Sequence, residues 1–205
     1  MIATTARTRI SPTCHGDPVP LDHLGHLEFE PGHTYEIING RWDVAPIAGF
    51  AEQSLETWLR RKLERYADDN PTVVGYVTPK GRVFVHDRPD LTVPEPDLTV
   101  YHENLDDLVA SGEAENWDDF SPFLVVEVLV AGNEDKDLVR NVELYFEVPS
   151  VVEYWVLDGR ENPRQPTLIA HRRWGQRWVV RETRYGETYI TRTLPGFELI
   201  LNPRQ

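Results

Sequence analysis

Apolar positions crowd most densely between Pro96 and Asp158. Phe123-Leu-Val-Val-Glu-Val-Leu-Val130 is an apolar run interrupted by one acid, the pattern of a strand buried on both faces. A short strand that opens on an acid, Pro96-Asp-Leu-Thr-Val100, precedes it. A helical segment from Asp135 to Glu147 carries acid, amide and base on its first turns, and a second buried strand, Val152-Glu-Tyr-Trp-Val-Leu157, closes the stretch. Strand, helix and strand over 123–157 demand a parallel pair with a right-handed crossover.

Around this stretch the pattern is shorter-ranged. Residues 1–33 show no period and are expected to form an extended or partly disordered arm. Tyr35 to Val44 predicts a hairpin about an Asn-Gly turn. Leu55, Leu59, Leu63 and Tyr66, with Trp58 and Lys62 flanking, recur at helical spacing and predict a helix over 51–66. Val73–Val77 and Arg82–Val85 flank a Thr-Pro-Lys-Gly turn and predict a second hairpin, while 103–119, with seven acids and no base, predicts a solvated loop. Strands at 167–171, 177–182 and 187–193 predict a meander turning near Gly175 and Gly186, closed by 194–201. No repeat of 20–50 residues is visible. Strands outnumber helices, so the expected class is α/β (α+β) with a mixed sheet.

Composition narrows the setting more than the chemistry. A 205-residue chain with 40% hydrophobic and 27% charged residues reads as globular rather than disordered. Cys14, the single cysteine, excludes a disulfide framework and a thiolate metal site, and points to the cytoplasm. No apolar run approaches the length of a membrane span, and the first residues lack the order of a secretory signal, so no membrane partner is expected. The net charge of −13 is unevenly spread: residues 160–205 hold nine Arg against four Glu. An acidic protein is a poor general binder of polyphosphate backbones, which counts against nucleic acid as a partner except through a local basic face.

Glu127 is the residue that needs explaining. A carboxylate inside an apolar strand is costly unless paired or metal-bound. One reading makes it functional; the other puts it at the strand's end, reaching water or an arginine. If the strands of Asp97 and Glu127 are neighbours, their carboxylates converge at the sheet's end with a main-chain carbonyl, that of Val128, nearby. Oxygen ligands of this kind suit Mg²⁺ or Mn²⁺, which would activate a water against a phosphodiester. A cation to steady the developing negative charge is expected on the following helix, where Asp137 and Asn141 share one face and Lys136 and Arg140 the adjoining one.

Five pieces in order, Tyr35-Glu-Ile-Ile-Asn-Gly40, Pro96-Asp97, Leu124-Val-Val-Glu-Val-Leu129, the Asp137/Asn141/Tyr145 series and Val152 to Asp158, resemble the Uma-two family of the PD-(D/E)XK nuclease superfamily. The likeness covers roughly 34–201. It implies a restriction-endonuclease-like domain over 34–205, with extra N- and C-terminal hairpins. It also implies Mg²⁺- or Mn²⁺-dependent cleavage of DNA and a possible homodimer. Carried over residue by residue, Asp97 matches the first acid and Glu127 the second. Leu129 stands two beyond Glu127, as is usual for this family, whose lysine belongs four residues after Asp137; that place is Asn141. Val130 stands where the family tends to have serine, and Glu52 or Gln53 where a histidine is common. Asparagine donates a hydrogen bond without charge, and Lys136 or Arg140 are the nearby substitutes.

Lesser candidates are Glu36, Glu56 and His102 for the acidic site, and Trp174 and Trp178 beside Arg172, Arg173 and Arg177 for base stacking. Each has a plainer reading as a solvated or packed side chain. The rival function is a non-catalytic binding or oligomerisation module on the same scaffold, and a third is hydrolysis of another phosphate ester.

Overall fold

The computed structural model describes residues 8–20, 27–130 and 136–205. Asp135, the expected start of the helical segment, lies outside the described residues. The centre is a six-stranded mixed sheet in the order β10-β9-β8-β7-β6-β5. Its strands are β5 (Tyr76–Pro79), β6 (Leu98–Tyr101), β7 (Leu124–Leu129), β8 (Glu153–Asp158), β9 (Thr167–Trp174) and β10 (Arg177–Thr183). β7 and β8 run parallel, as the strand–helix–strand order requires, and every other pairing is antiparallel.

Alternation explains why β7 is apolar throughout. Leu124, Val126 and Val128 join Leu98, Val100, Trp155 and Leu157 on one face. Against them lies α1 (Phe50–Asp69), presenting Leu55, Leu59, Leu63 and Tyr66 at three- and four-residue spacing. Leu59 and Leu63 are wholly buried, each worth about 1.5–3 kcal/mol. Val125 and Leu129 face the other way, with Tyr154, Val156, Tyr145, Val148 and Val151. That second layer is built by a π-helical turn (Lys136–Arg140) leading into α3 (Asn141–Phe146). Glu127 shares the face of Val125 and Leu129 and points at this turn.

Three smaller sheets complete the chain. β3 (His33–Ile38) and β4 (Arg41–Pro46) pair about Asn39 and Gly40, both at positive φ (50° and 70°), as the Asn-Gly pattern predicts. Short strands β1 (Thr8–Ile10) and β2 (Leu27–Phe29) run parallel, and Ile10 and Val19 pack on Trp42. β11 (Thr188–Ile190) pairs with β12 (Glu198–Ile200).

Three expectations need correcting. Residues 82–85 do not pair with β5; Val83 and Val85 donate instead to the carbonyls of Pro94 and Thr92, and β5 pairs with β6. The acidic run is not all loop: α2 (Leu105–Ser111) forms because Asn104 Oδ1 accepts from the main-chain N–H of Asp106 and Asp107, acids occupy its first turn, and Gly112 closes it at φ 76°. The C-terminal strands are not one meander, because β11 leaves β10 and folds onto β12. That separate pair is docked by Glu153, a buried acid of β8 whose carboxylate accepts from Trp155, Tyr189, Thr191 and Thr193 and meets Arg172 at 3.2 Å. No helix among the described residues is long and apolar enough to cross a membrane.

Candidate active site

The antiparallel register pairs Leu98 with Val126, which sets Asp97 opposite Glu127 one step further along. Directly opposed residues project from the same face. Both acids are buried, at 5% and 4% exposure. The main-chain N–H of Asp97 donates to Glu127 Oε2 at 3.3 Å, and that of Val128 to Asp97 Oδ2 at 2.7 Å. The two carboxylates therefore meet at the end of the β6–β7 pair, on one side of the sheet.

From the helical layer, Asn141 donates to Glu127 Oε1 at 2.9 Å and to Asp137 Oδ1 at 3.2 Å, and Tyr145 Oη adds a donor to Glu127 Oε1 at 3.1 Å. Asp137, Asn141 and Tyr145 recur every fourth residue and all reach the acid cluster, while Arg140 Nε donates to Asn141 Oδ1 at 3.0 Å. Lys136 and Arg140, on the adjoining face, grip the hairpin instead. Lys136 Nζ lies 3.1 Å from Glu36 Oε1; Arg140 donates to Glu36 Oε2 at 3.2 Å and pairs with Asp43. Glu36 thus joins the site's wall, at 2% exposure and accepting also from Glu95 N–H.

The result is a cleft of about 450 Å³ between the β3–β4 hairpin, the start of α1 and the sheet's end. Its charge is unbalanced. Burial, then Asp137 and Asp97, push the Glu127 carboxyl well above its ordinary range. Burial pushes Asp137 up to about 7, with Lys136 opposing and Asp97 reinforcing the shift. Glu52 and Glu56, partly buried on α1, are raised by burial and then by Asp97. Burial would lower Lys136, but Glu36 and Glu127 outweigh it and hold it charged. Among the described residues, no three His, Cys, Asp or Glu side chains are arranged as a ready-made metal ligand set.

A further cation at the site was not singled out by sequence. Lys80, in the turn after β5, places Nζ 2.5 Å from Asp97 Oδ1, and its N–H donates to Asp97 O at 3.3 Å. Burial would depress its ammonium; Asp97 and Glu127 reverse the direction. A lysine in a Pro-Lys-Gly turn carries no signal of its own in the sequence. Only the pairing of β5 with β6 brings it beside Asp97.

His102, Arg172, Arg173 and Trp178 are absorbed by the fold. His102 Nδ1 contacts Val73 O at 2.8 Å and its ring stacks on Phe123. Arg173 donates to the carbonyls of Val151, Tyr145, Phe146 and Val148 and lies over Phe146 and Trp178, while Trp178 Nε1 donates to Val142 O. Arg172 is held by Glu153, whereas Trp174 and Arg177, paired across the hairpin, are exposed at its end.

The comparisons agree with this architecture. A family model, Uma2, described as "Putative restriction endonuclease", matches residues 21–202. A solved structure from Anabaena variabilis ATCC 29413, described as "a putative nuclease belonging to DUF820", superposes with a TM-score of 0.61 at 13% identity. The match covers 91% of this chain and 96% of that one, a likeness of fold. The search of curated proteins gave no match. With the restriction-endonuclease-like fold in place and the family model spanning nearly its whole length, the chain belongs to the Uma2 family.

Proposed function

We propose that this chain is a Mg²⁺- or Mn²⁺-dependent endonuclease that hydrolyses DNA phosphodiester bonds, with Asp97, Glu127 and the main-chain oxygen of Val128 as metal ligands. The observation that carries the reading is the opposed, buried acid pair at the sheet's end, with Asp137 behind it. The donor set fits a hard divalent cation: the ligands are oxygens, and three carboxylates buried in one cleft leave a deficit of positive charge. A cation held there supplies Lewis-acid polarisation of the phosphate and acidifies a water.

The chain's own side chains do the positioning. Asn141 holds Glu127 and Asp137 side by side through its two amide hydrogens, and Tyr145 fixes the same Glu127 oxygen. Lys136, anchored on Glu36 in the cleft wall, adds positive potential where phosphate charge develops. In the reaction a water oxygen bonds to phosphorus and loses a proton. The bond from phosphorus to one deoxyribose oxygen breaks, and that oxygen keeps the electron pair and gains a proton.

Supercoiled plasmid incubated with Mn²⁺ or Mg²⁺ tests the reading. Cleavage by the wild-type chain and none by Asp97→Ala is expected; cleavage that persists in Asp97→Ala removes the assigned site. A second reading, a scaffold that binds a cation without efficient cleavage, is favoured by the neutral Asn141 in the family's lysine place, since charge-assisted hydrogen bonds are about twice as strong as neutral ones. Calorimetric Mn²⁺ binding without cleavage would select it.

A further inference from the structure

The helical segment that should bring a cation to the acids brings none into ion-pair contact with Asp97 or Glu127. Asn141 is neutral and saturated: both amide hydrogens go to Glu127 and Asp137, and its oxygen accepts from Arg140. Lys136 and Arg140 are held by Glu36 and Asp43. Among the described residues, Lys80 is the one cationic side chain in ion-pair contact with either Asp97 or Glu127.

Lys80 enters the cleft from the turn after β5, and its placement is built in. Its backbone sits at φ 57°, a conformation that non-glycine residues rarely adopt. The next residue, Gly81, lies so close to β6 that a Cβ there would stand 2.2 Å from Thr99 Oγ1 and 3.0 Å from Tyr101 Oη. Main-chain and side-chain contacts to Asp97 hold the lysine in register, while its side chain remains 36% exposed toward the cleft. That combination suits an ammonium fixed beside an acid and reachable by a phosphate.

We infer that Lys80 supplies the positive charge that the family's helix lysine would supply, so that the catalytic cation of this chain has moved from the Asn141 position to the turn after β5. The inference rests on the nuclease reading above. Lys80 transfers no proton; its ammonium donates a hydrogen bond to a non-bridging phosphate oxygen as negative charge gathers there.

The test uses the full chain with Lys80→Met and with Lys80→Met combined with Asn141→Lys, measuring plasmid cleavage and calorimetric Mn²⁺ affinity. Lys80→Met should cleave about 10²–10³-fold more slowly, the usual cost of losing one donor to a developing oxyanion. Its Mn²⁺ affinity should rise, by about fivefold, because a competing ammonium has left Asp97; the size corresponds to a partly exposed ion pair. Adding Asn141→Lys should recover cleavage. A lysine that merely supports the turn would lower cleavage and affinity together, and that result overturns the inference. So does Lys80→Met cleaving at the wild-type rate while Asp97→Ala is dead, an outcome that leaves the nuclease reading standing. Absence of cleavage by both the wild-type chain and Asn141→Lys defeats the nuclease reading, and the inference with it.

Discussion

Asn141 lies between two acids that repel each other, its amide 2.9 Å from Glu127 Oε1 and 3.2 Å from Asp137 Oδ1. It is fully buried, so the bridge works in low dielectric, where an unpaired carboxylate is costly. Asn141→Leu should lower the unfolding free energy by about 1–3 kcal/mol, read from urea denaturation. Asn141→Lys should instead raise plasmid cleavage by about tenfold, since a charged donor replaces a neutral one.

The turn that carries Lys80 depends on the glycine after it. Thr99 is wholly buried and cannot yield to a Cβ on Gly81. Gly81→Ala should therefore cost about 1–3 kcal/mol of stability and displace Lys80 from Asp97. Thr99→Ala in the Gly81→Ala background removes the clashing oxygen and should return part of both stability and cleavage. A Gly81→Ala chain with unchanged melting temperature would contradict the packing.

Glu153 anchors the far end of the sheet rather than the cleft. Its carboxylate takes donors from Trp155, Tyr189, Thr191, Thr193 and Arg172. Glu153→Ala leaves several buried donors unpaired and should destabilise by about 3 kcal/mol, the lower end for a broken buried pair because Arg172 can turn to solvent. Limited proteolysis should then cut first within 184–205, which holds β11 and β12.

His171 should make the stability of the fold depend on pH. Burial between Tyr154 and Trp178 lowers its pKa below the ordinary 6.5. The unfolded chain therefore takes up the proton first: stability from this residue is full above pH 6.5 and is lost as pH falls through the lower, folded value. His171→Phe should reduce the drop in urea midpoint between pH 7 and pH 5. A steeper drop in the variant would reverse the sign.

What could be read from the sequence was whatever repeats. Leu55, Leu59 and Leu63 mark α1, the run from Phe123 marks β7, and Asn39-Gly40 marks the hairpin, because each signal is local and periodic. Asp97 and Glu127 stood out as acids in apolar strands, and the register sets them opposite each other. Lys80 did not stand out, because its partner is chosen by the β5–β6 pairing and not by its neighbours. The same limit hid Glu153, whose partners lie 36–40 residues on, in Tyr189, Thr191 and Thr193. α2 was missed for another reason: a run of acids outweighed the Asn104 cap and the closing Gly112.

A calorimetric titration of Mn²⁺ into the wild-type chain, Asp97→Asn and Glu127→Gln, with plasmid cleavage followed on the same samples, bears most directly on the paired acids. The expected result is saturable binding by the wild-type chain that each substitution weakens at least tenfold, with cleavage lost in both. Equal Mn²⁺ affinity in all three proteins would contradict it.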